Sequence, residues 1–267
     1  MTKRFCPNCE LPLIVTAFPT VRGFCPNCDW AGGPHLFLTE PKSPMPTDTK
    51  TPWTPYVSID LETTGLNENY AQILEIGAVI DDWKSPLAEL PRFQTYIQPL
   101  DQHGKEQFVY GSPFALALNA GILRKLVSGD TNLTITRDVD VGPIFARWLT
   151  EHGIDPLHVN PAGKNFASFD LQFFKRIDGF DKHVNFRHRT IDPAMYYWLP
   201  DVDSGLPDTK TCLKRAGLDD TVAHTAVEDC LSVIQLVRRG VLRCIHRKAF
   251  EELSTVTELP EGLKIET

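Results

Sequence analysis

The stretch YVSIDLETTGL, Tyr56 to Leu66, carries a short apolar run into two carboxylates set two residues apart. β-Branched and aromatic residues alternating with polar ones read as a strand. Side chains alternate faces along a strand, so Val57, Ile59 and Leu61 share one face while Asp60 and Glu62 share the other. Two like charges on one face repel, and burying them unpartnered is costly. Either that face is open to water, as in a solvated strand end running into a glycine turn, or something positive sits on it. A divalent cation would resolve the conflict, since Mg²⁺ and Mn²⁺ favour carboxylate oxygens.

The rest of the chain frames this pair. Its 267 residues leave room for one or two domains with a substantial core. The hydrophobic share of 42% and charged share of 23% are those of an ordinary globular protein. No apolar run of about 18 residues predicts a membrane span, and no membrane partner is expected. A net charge of −7 argues against nucleic-acid coating through bulk positive charge, but not against a local site carrying its own cations.

There are seven cysteines, four of them in two CPNC tetrapeptides. Cys6 and Cys9 are followed by fifteen residues and then Cys25 and Cys28. This C-x₂-C-x₁₅-C-x₂-C spacing predicts one structural Zn²⁺ on four thiolates. So short a segment builds little core, so the metal would supply much of its folding energy. Cys212, Cys230 and Cys244 read as buried, reduced thiols. The odd count and the N-terminus, which lacks a secretory apolar core, predict a cytoplasmic protein.

Four segments are expected: a zinc ribbon at 1–38, a Pro/Thr-rich linker at 39–54, the main domain at 55–240, and a helix or tail at 241–267. In the main domain, ILEIGAVID and FQTYIQP read as further strands of an antiparallel meander. LHVN, Leu157 to Asn160, reads as a later strand. FALALNAGILRKLV, Phe114 to Val127, reads as one helix, and another is expected to begin near Gly142. SFDLQFFKRI reads as a helix capped by Ser168, and Asp192 as the cap of a helix with Pro193 at its first position. DTKTCLKRAGL and HTAVEDCLSVIQLVRRG read as helices, each ending at its glycine. Asp81 and Asp82 read as a wet strand end, and Asn119 as a surface polar residue, with a position facing the substrate as the alternative. Three strands followed by helices interleaved with strands predict a mixed sheet flanked by helices, of the α/β class.

Two further acids stand out. In HTAVEDCLSVIQLV, the residues Ala226, Val227, Cys230, Val233, Ile234 and Val237 make an apolar face that Asp229 borders, while Glu228 falls on the wet side. An acid on the core side of a helix needs a partner. His224 lies near the helix start, placed to point past its end. In KNFASFD, Asp170 falls in a helix first turn, a favourable place for a carboxylate, five residues after Asn165.

DLETTG, then N-x-x-x-F-D, then H-x-x-x-x-D, in that order, resemble the three motifs of the DEDDh 3′–5′ exonucleases, the family of bacterial proofreading exonucleases and oligoribonuclease. The likeness spans Asp60 to Asp229 and leaves out the ribbon, linker and tail. It implies an RNase H-like, mixed five-stranded sheet. It also implies a two-metal hydrolysis of the terminal phosphodiester of single-stranded DNA or RNA with a free 3′ end, releasing nucleoside 5′-monophosphates. By motif position, Asp60, Glu62, Asp170 and Asp229 would hold two Mg²⁺ or Mn²⁺ ions, with His224 as general base. Thr63, Thr64 and Leu66 would line the terminal nucleotide pocket, with Asn165 and Phe169 as further substrate contacts. The alternative is an inactive module that binds nucleic acid or a protein partner through the ribbon.

Overall fold

A computed structural model describes residues 14–16, 22–24, 31–32, 54–98, 105, 108–128, 130–219 and 225–255, with side chains described between 54 and 244. Near the N-terminus, strands β1 (Ile14–Thr16), β2 (Arg22–Phe24) and β3 (Ala31–Gly32) pair antiparallel in sequence order. Cys6, Cys9, Cys25 and Cys28 lie outside the described residues.

The main domain is built on β4 (Tyr56–Thr63), β5 (Ile73–Asp81), β6 (Arg92–Gln98), β7 (Ile135–Arg137) and β8 (Pro161–Ala162), in spatial order β7-β6-β5-β4-β8. β4, β5 and β6 form the expected antiparallel meander, while β7 and β8 add in parallel at the two edges. The expected mixed, five-stranded sheet is thus present. Its helices are α1 (Pro113–Leu118), α2 (Ala120–Val127), α3 (Asp138–Glu151), α4 (Asp170–Phe174), α5 (Thr209–Ala216) and α6 (Ala226–Thr255).

β4 is buried on both faces apart from a half-buried Asp60. Val57, Ile59 and Leu61 pack with Phe93, Phe145 and Phe174 in a core on the α3 and α4 side. The opposite face meets α6, whose Val227, Cys230, Val233, Ile234 and Val237 join Tyr56 and Val79 in a second core. The apolar face read from helical spacing is the face α6 buries, and full burial stabilises by about 1.5–3 kcal/mol per large aliphatic side chain. The acid pair therefore lies under a helix, not on an open strand end.

One close approach decides where α6 begins. Gly77 pairs with Asp60 across the β4–β5 ladder. A Cβ on Gly77 would lie 2.5 Å from the Ala226 carbonyl carbon and 2.6 Å from Val227 N. Only a glycine lets the first turn of α6 rest on the sheet at this point. That turn opens on Thr225, whose carbonyl accepts from Asp229 N–H at 3.0 Å and whose hydroxyl donates to Glu228 at 3.0 Å. Farther along, Arg238 binds the fully buried Asp81 at 2.5 Å. Asp81 is thus an internal anchor for α6, not the wet strand end its position suggested.

Other elements depart from expectation for local reasons. The helix expected over Phe114 to Val127 is broken into α1 and α2 at Asn119, which is buried at 3% exposure and whose side-chain amide turns to the Thr63 carbonyl, 3.0 Å. α3 begins at Asp138, four residues before Gly142, with Asp138 and Asp140 in its first turn, where acids complement the helix dipole. Ser168 does not cap α4: its hydroxyl donates to Asn165 O at 3.1 Å, and Phe169 holds the cap position. Pairing with β4 involves Pro161 and Ala162, not the whole of Leu157 to Asn160. α5 ends at Gly217, in the left-handed region, as read, and the structure adds a cap from Asp208. α6 runs on through Gly240, where the ring of Tyr196 packs against the missing side chain. Cys212 and Cys230 are buried thiols, whereas Cys244 is exposed. Among the described residues no helix is long and apolar enough to cross a membrane.

Candidate active site

β4 and the first turn of α6 bring three carboxylates together. Oxygens of Asp60, Glu62 and Asp229 all lie within 4.8 Å of one another. Asp170, buried at the start of α4, joins them, its Oδ1 accepting from Leu61 N–H at 3.1 Å and its charge acting on Asp60. That bond ties the acid to the backbone between Asp60 and Glu62.

The electrostatics follow from this crowding. Burial pushes the Asp60 carboxyl well up, and the charges of Asp170, Asp229 and Glu62 push it further. Burial, with the charge of Asp229, raises Glu62 to about 7, against a hydrogen bond from Asn119 that favours the ionised form. Asp170 is raised by burial in spite of its backbone hydrogen bonds. Among the described residues no Lys or Arg forms a salt bridge with Asp60, Glu62 or Asp170. Three carboxylates whose oxygens lie this close form a donor set for a hard divalent ion.

Two residues of the site depart from the sequence reading. Glu75 pairs with Glu62 across the β4–β5 ladder and is fully buried. Its Oε1 accepts from Gln94, while its Oε2 is buried without a hydrogen-bond partner. Burial raises its pKa, and its charge adds to the pressure on Asp60 and Glu62. The signal was an acid inside the apolar run ILEIGAVID, two residues from a glycine. Asn119 is the second: far from being a surface residue, it lies buried against Glu62 and Thr63, and its Oδ1 has no partner.

The expected substrate contacts are placed as follows. Thr63 and Thr64 are buried and shape the turn: Thr63 Oγ1 donates to Gly65 O at 2.8 Å, and Thr64 Oγ1 accepts from Gln72 N–H at 2.8 Å. Leu66 stands 86% exposed at the rim. Asn165 is exposed with φ 58°, its N–H donating to Asp192 at 3.1 Å. Phe169 is half-buried against Phe173, with ring centroids 5.1 Å apart. Asp192 accepts from Ala194 N–H at 2.9 Å, the cap it was read to be. His224 lies outside the described residues.

The exonuclease family RNase_T matches residues 57–109, the segment that carries Asp60, Glu62 and Glu75. A structure of exonuclease I, solved in work on how processivity is achieved, superposes with a TM-score of 0.51 at 16% identity, covering 76% of this chain and 43% of that one. The likeness is one of fold, shared with part of exonuclease I. E. coli exonuclease I in complex with a dA16 oligonucleotide gives a TM-score of 0.49 at 18% identity over the same shares, and its complex with dT13 gives 0.49 at 16% over 77% and 44%. The chain therefore spans under half the length of these proteins. No curated protein matches the sequence.

Proposed function

We propose that this protein is a metal-dependent 3′–5′ exonuclease that hydrolyses the terminal phosphodiester of single-stranded DNA or short RNA and releases nucleoside 5′-monophosphates. The observation that carries the reading is the cluster of Asp60, Glu62 and Asp229 oxygens within 4.8 Å, backed by the buried Asp170. A solvated acidic patch would not be built beneath a helix.

Asp60, Glu62, Asp229 and Asp170 would hold two Mg²⁺ or Mn²⁺ ions. When bound, such ions activate the attacking water, stabilise the leaving 3′ oxygen and neutralise phosphate charge. His224, just ahead of α6, accepts the proton of that water, a role that suits a reference imidazole pKa of about 6.5. The water oxygen bonds to phosphorus as the bond from phosphorus to the 3′ oxygen breaks, and the released oxygen takes a proton from solvent. Asp170 and the Leu61 N–H brace the strand that presents the acid pair. Thr63, Thr64, Leu66, Asn165 and Phe169 stand as contacts for the terminal nucleotide.

The four cysteines would bind one structural Zn²⁺. Their spacing supports this, as does the antiparallel pairing of the three short strands between Ile14 and Gly32. The free thiols Cys212, Cys230 and Cys244 suit a reducing compartment, and we place the protein in the cytoplasm.

The test is a degradation ladder on 5′-labelled single-stranded DNA and RNA of equal sequence, with Mg²⁺ or Mn²⁺ against EDTA. Stepwise shortening from the 3′ end that is lost with EDTA, in Asp60→Ala and in His224→Ala is the expected result. No metal-dependent cleavage of either strand would refute the reading.

A further inference from the structure

The rim of the site is unusually apolar. Leu66 and Tyr70 are 86% and 74% exposed, and Phe108, Tyr110, Phe114 and Leu118 are 94%, 52%, 79% and 45% exposed. Scattered exposed apolar residues are ordinary; a group of large ones on adjoining segments marks a binding surface.

Leu66 and Tyr70 sit on the loop after β4, Phe108 and Tyr110 on the segment before α1, and Phe114 and Leu118 on α1, and these segments are stitched together. Thr64 O accepts from Ser112 N–H at 2.9 Å, and Gln72 Oε1 accepts from Tyr110 N–H at 3.0 Å. A Cβ on Gly111 would lie 2.2 Å from Thr64 O, so the second loop presses on the first through a glycine. Thr64 is two residues from Glu62, which makes the apolar rim continuous with the acid cluster. Among the described residues, Arg176 reaches Asn69 in the first loop at 2.8 Å, Lys175 beside it is exposed, and Lys125 of α2 acts on the charge of Glu75.

Charge alone cannot draw a polyanion to this mouth, because the chain is acidic overall and the site itself is a nest of carboxylates. Aromatic faces bind unpaired bases without needing positive charge, and a few flanking cations track the backbone. We infer that Tyr70, Phe108, Tyr110 and Phe114 form a stacking shelf that holds the unpaired bases of the strand leading into the candidate active site. The proposal rests on the exonuclease reading for the direction of the strand, and it names this chain's own means of holding it.

The experiment reads affinity without turnover. Phosphorothioate-linked, fluorescein-labelled dT8 and dT2 are titrated with the full-length protein in Mg²⁺, and anisotropy is recorded. Wild type is expected to bind dT8 more tightly than dT2. The Phe108→Ala/Phe114→Ala double variant should lose about 10-fold or more for dT8, the range for lost base stacking. Phe108→Tyr should keep the affinity, and so should Val202→Ala, which removes a 72% exposed apolar side chain elsewhere. Binding should also fall only weakly with salt, unlike a phosphate-driven contact. Equal affinity of the double variant and wild type, or wild type binding dT8 no better than dT2, would overturn the shelf and leave the surface to a protein partner. A chain that grips dT8 through these rings but yields no ladder would instead refute the exonuclease reading and leave the shelf standing.

Discussion

Glu62→Gln separates the two opposed effects that the carboxylate cluster has on stability. Glu62 is 9% exposed and its pKa is raised from 4.5 to about 7, first by burial and then by Asp229. An acid with a raised pKa in the folded state keeps its proton there after the unfolded chain has lost it. Stability therefore falls as pH rises from about 4.5 to about 7, and is flat above. At about 1.4 kcal/mol per tenfold change in proton affinity, this one group withdraws about 3 kcal/mol by pH 8. Asp60 and Asp170 act in the same direction. A divalent ion reverses the effect, adding about 2.7 kcal/mol at a hundred times its Kd. The assay is thermal unfolding of wild type and Glu62→Gln at pH 5 and pH 8, each in EDTA and in Mg²⁺ or Mn²⁺. In EDTA at pH 8 the variant should melt about 6–12 °C above wild type, for a domain of this size, and the gap should close at pH 5. In excess metal the order should shrink or invert, because the variant has lost a ligand. A variant no more stable than wild type in EDTA at pH 8, or one still fully stabilised by metal, would refute the reasoning.

Three further outcomes are expected. Gly77→Ala forces a methyl into the start of α6 and should cost about 1–3 kcal/mol in urea unfolding, with weaker divalent-metal binding by calorimetry as Asp229 is displaced; an unchanged metal Kd would show that α6 is not held in place here. Arg238→Ala leaves Asp81 buried and unpaired and should cost about 3–5 kcal/mol, largely recovered when Asp81→Asn is added, as read by a double-mutant cycle. Cys6→Ser should release zinc, measured by a chromogenic chelator, while hydrolysis of a dinucleotide persists; a collapsed dinucleotide rate would make the ribbon part of the active site.

Much of the site was legible because its motifs are local. Asp60 and Glu62 share a face by strand alternation alone, and the apolar stripe of α6 follows from helical spacing with Asp229 at its border. The Asp192 cap is likewise written within a few residues. Glu75 and Asn119 were not legible, for their burial is a property of partners far away in the chain. Glu75 becomes a neighbour of Glu62 only through the β4–β5 register. Asn119 reads as a surface residue until its amide is seen on the carbonyl of Thr63, fifty-six positions away. Asp81 was misjudged for the same reason, since Arg238 lies 157 residues on.

Periodicity and capping chemistry, each set by interactions within a turn or a strand, were enough for the sequence by itself to determine the α/β class and the mixed sheet, and the order of the motifs pointed to the candidate acids. Only the tertiary structure decided that the acid pair is covered instead of open, through the approach that Gly77 allows α6. It alone decided, too, that Asp170 is tied to β4 through the Leu61 N–H, and that the segment before α1 joins the loop after β4 at Thr64. Those outcomes depend on which surfaces meet, and the free energy of a contact between distant segments is not encoded in the spacing of either one.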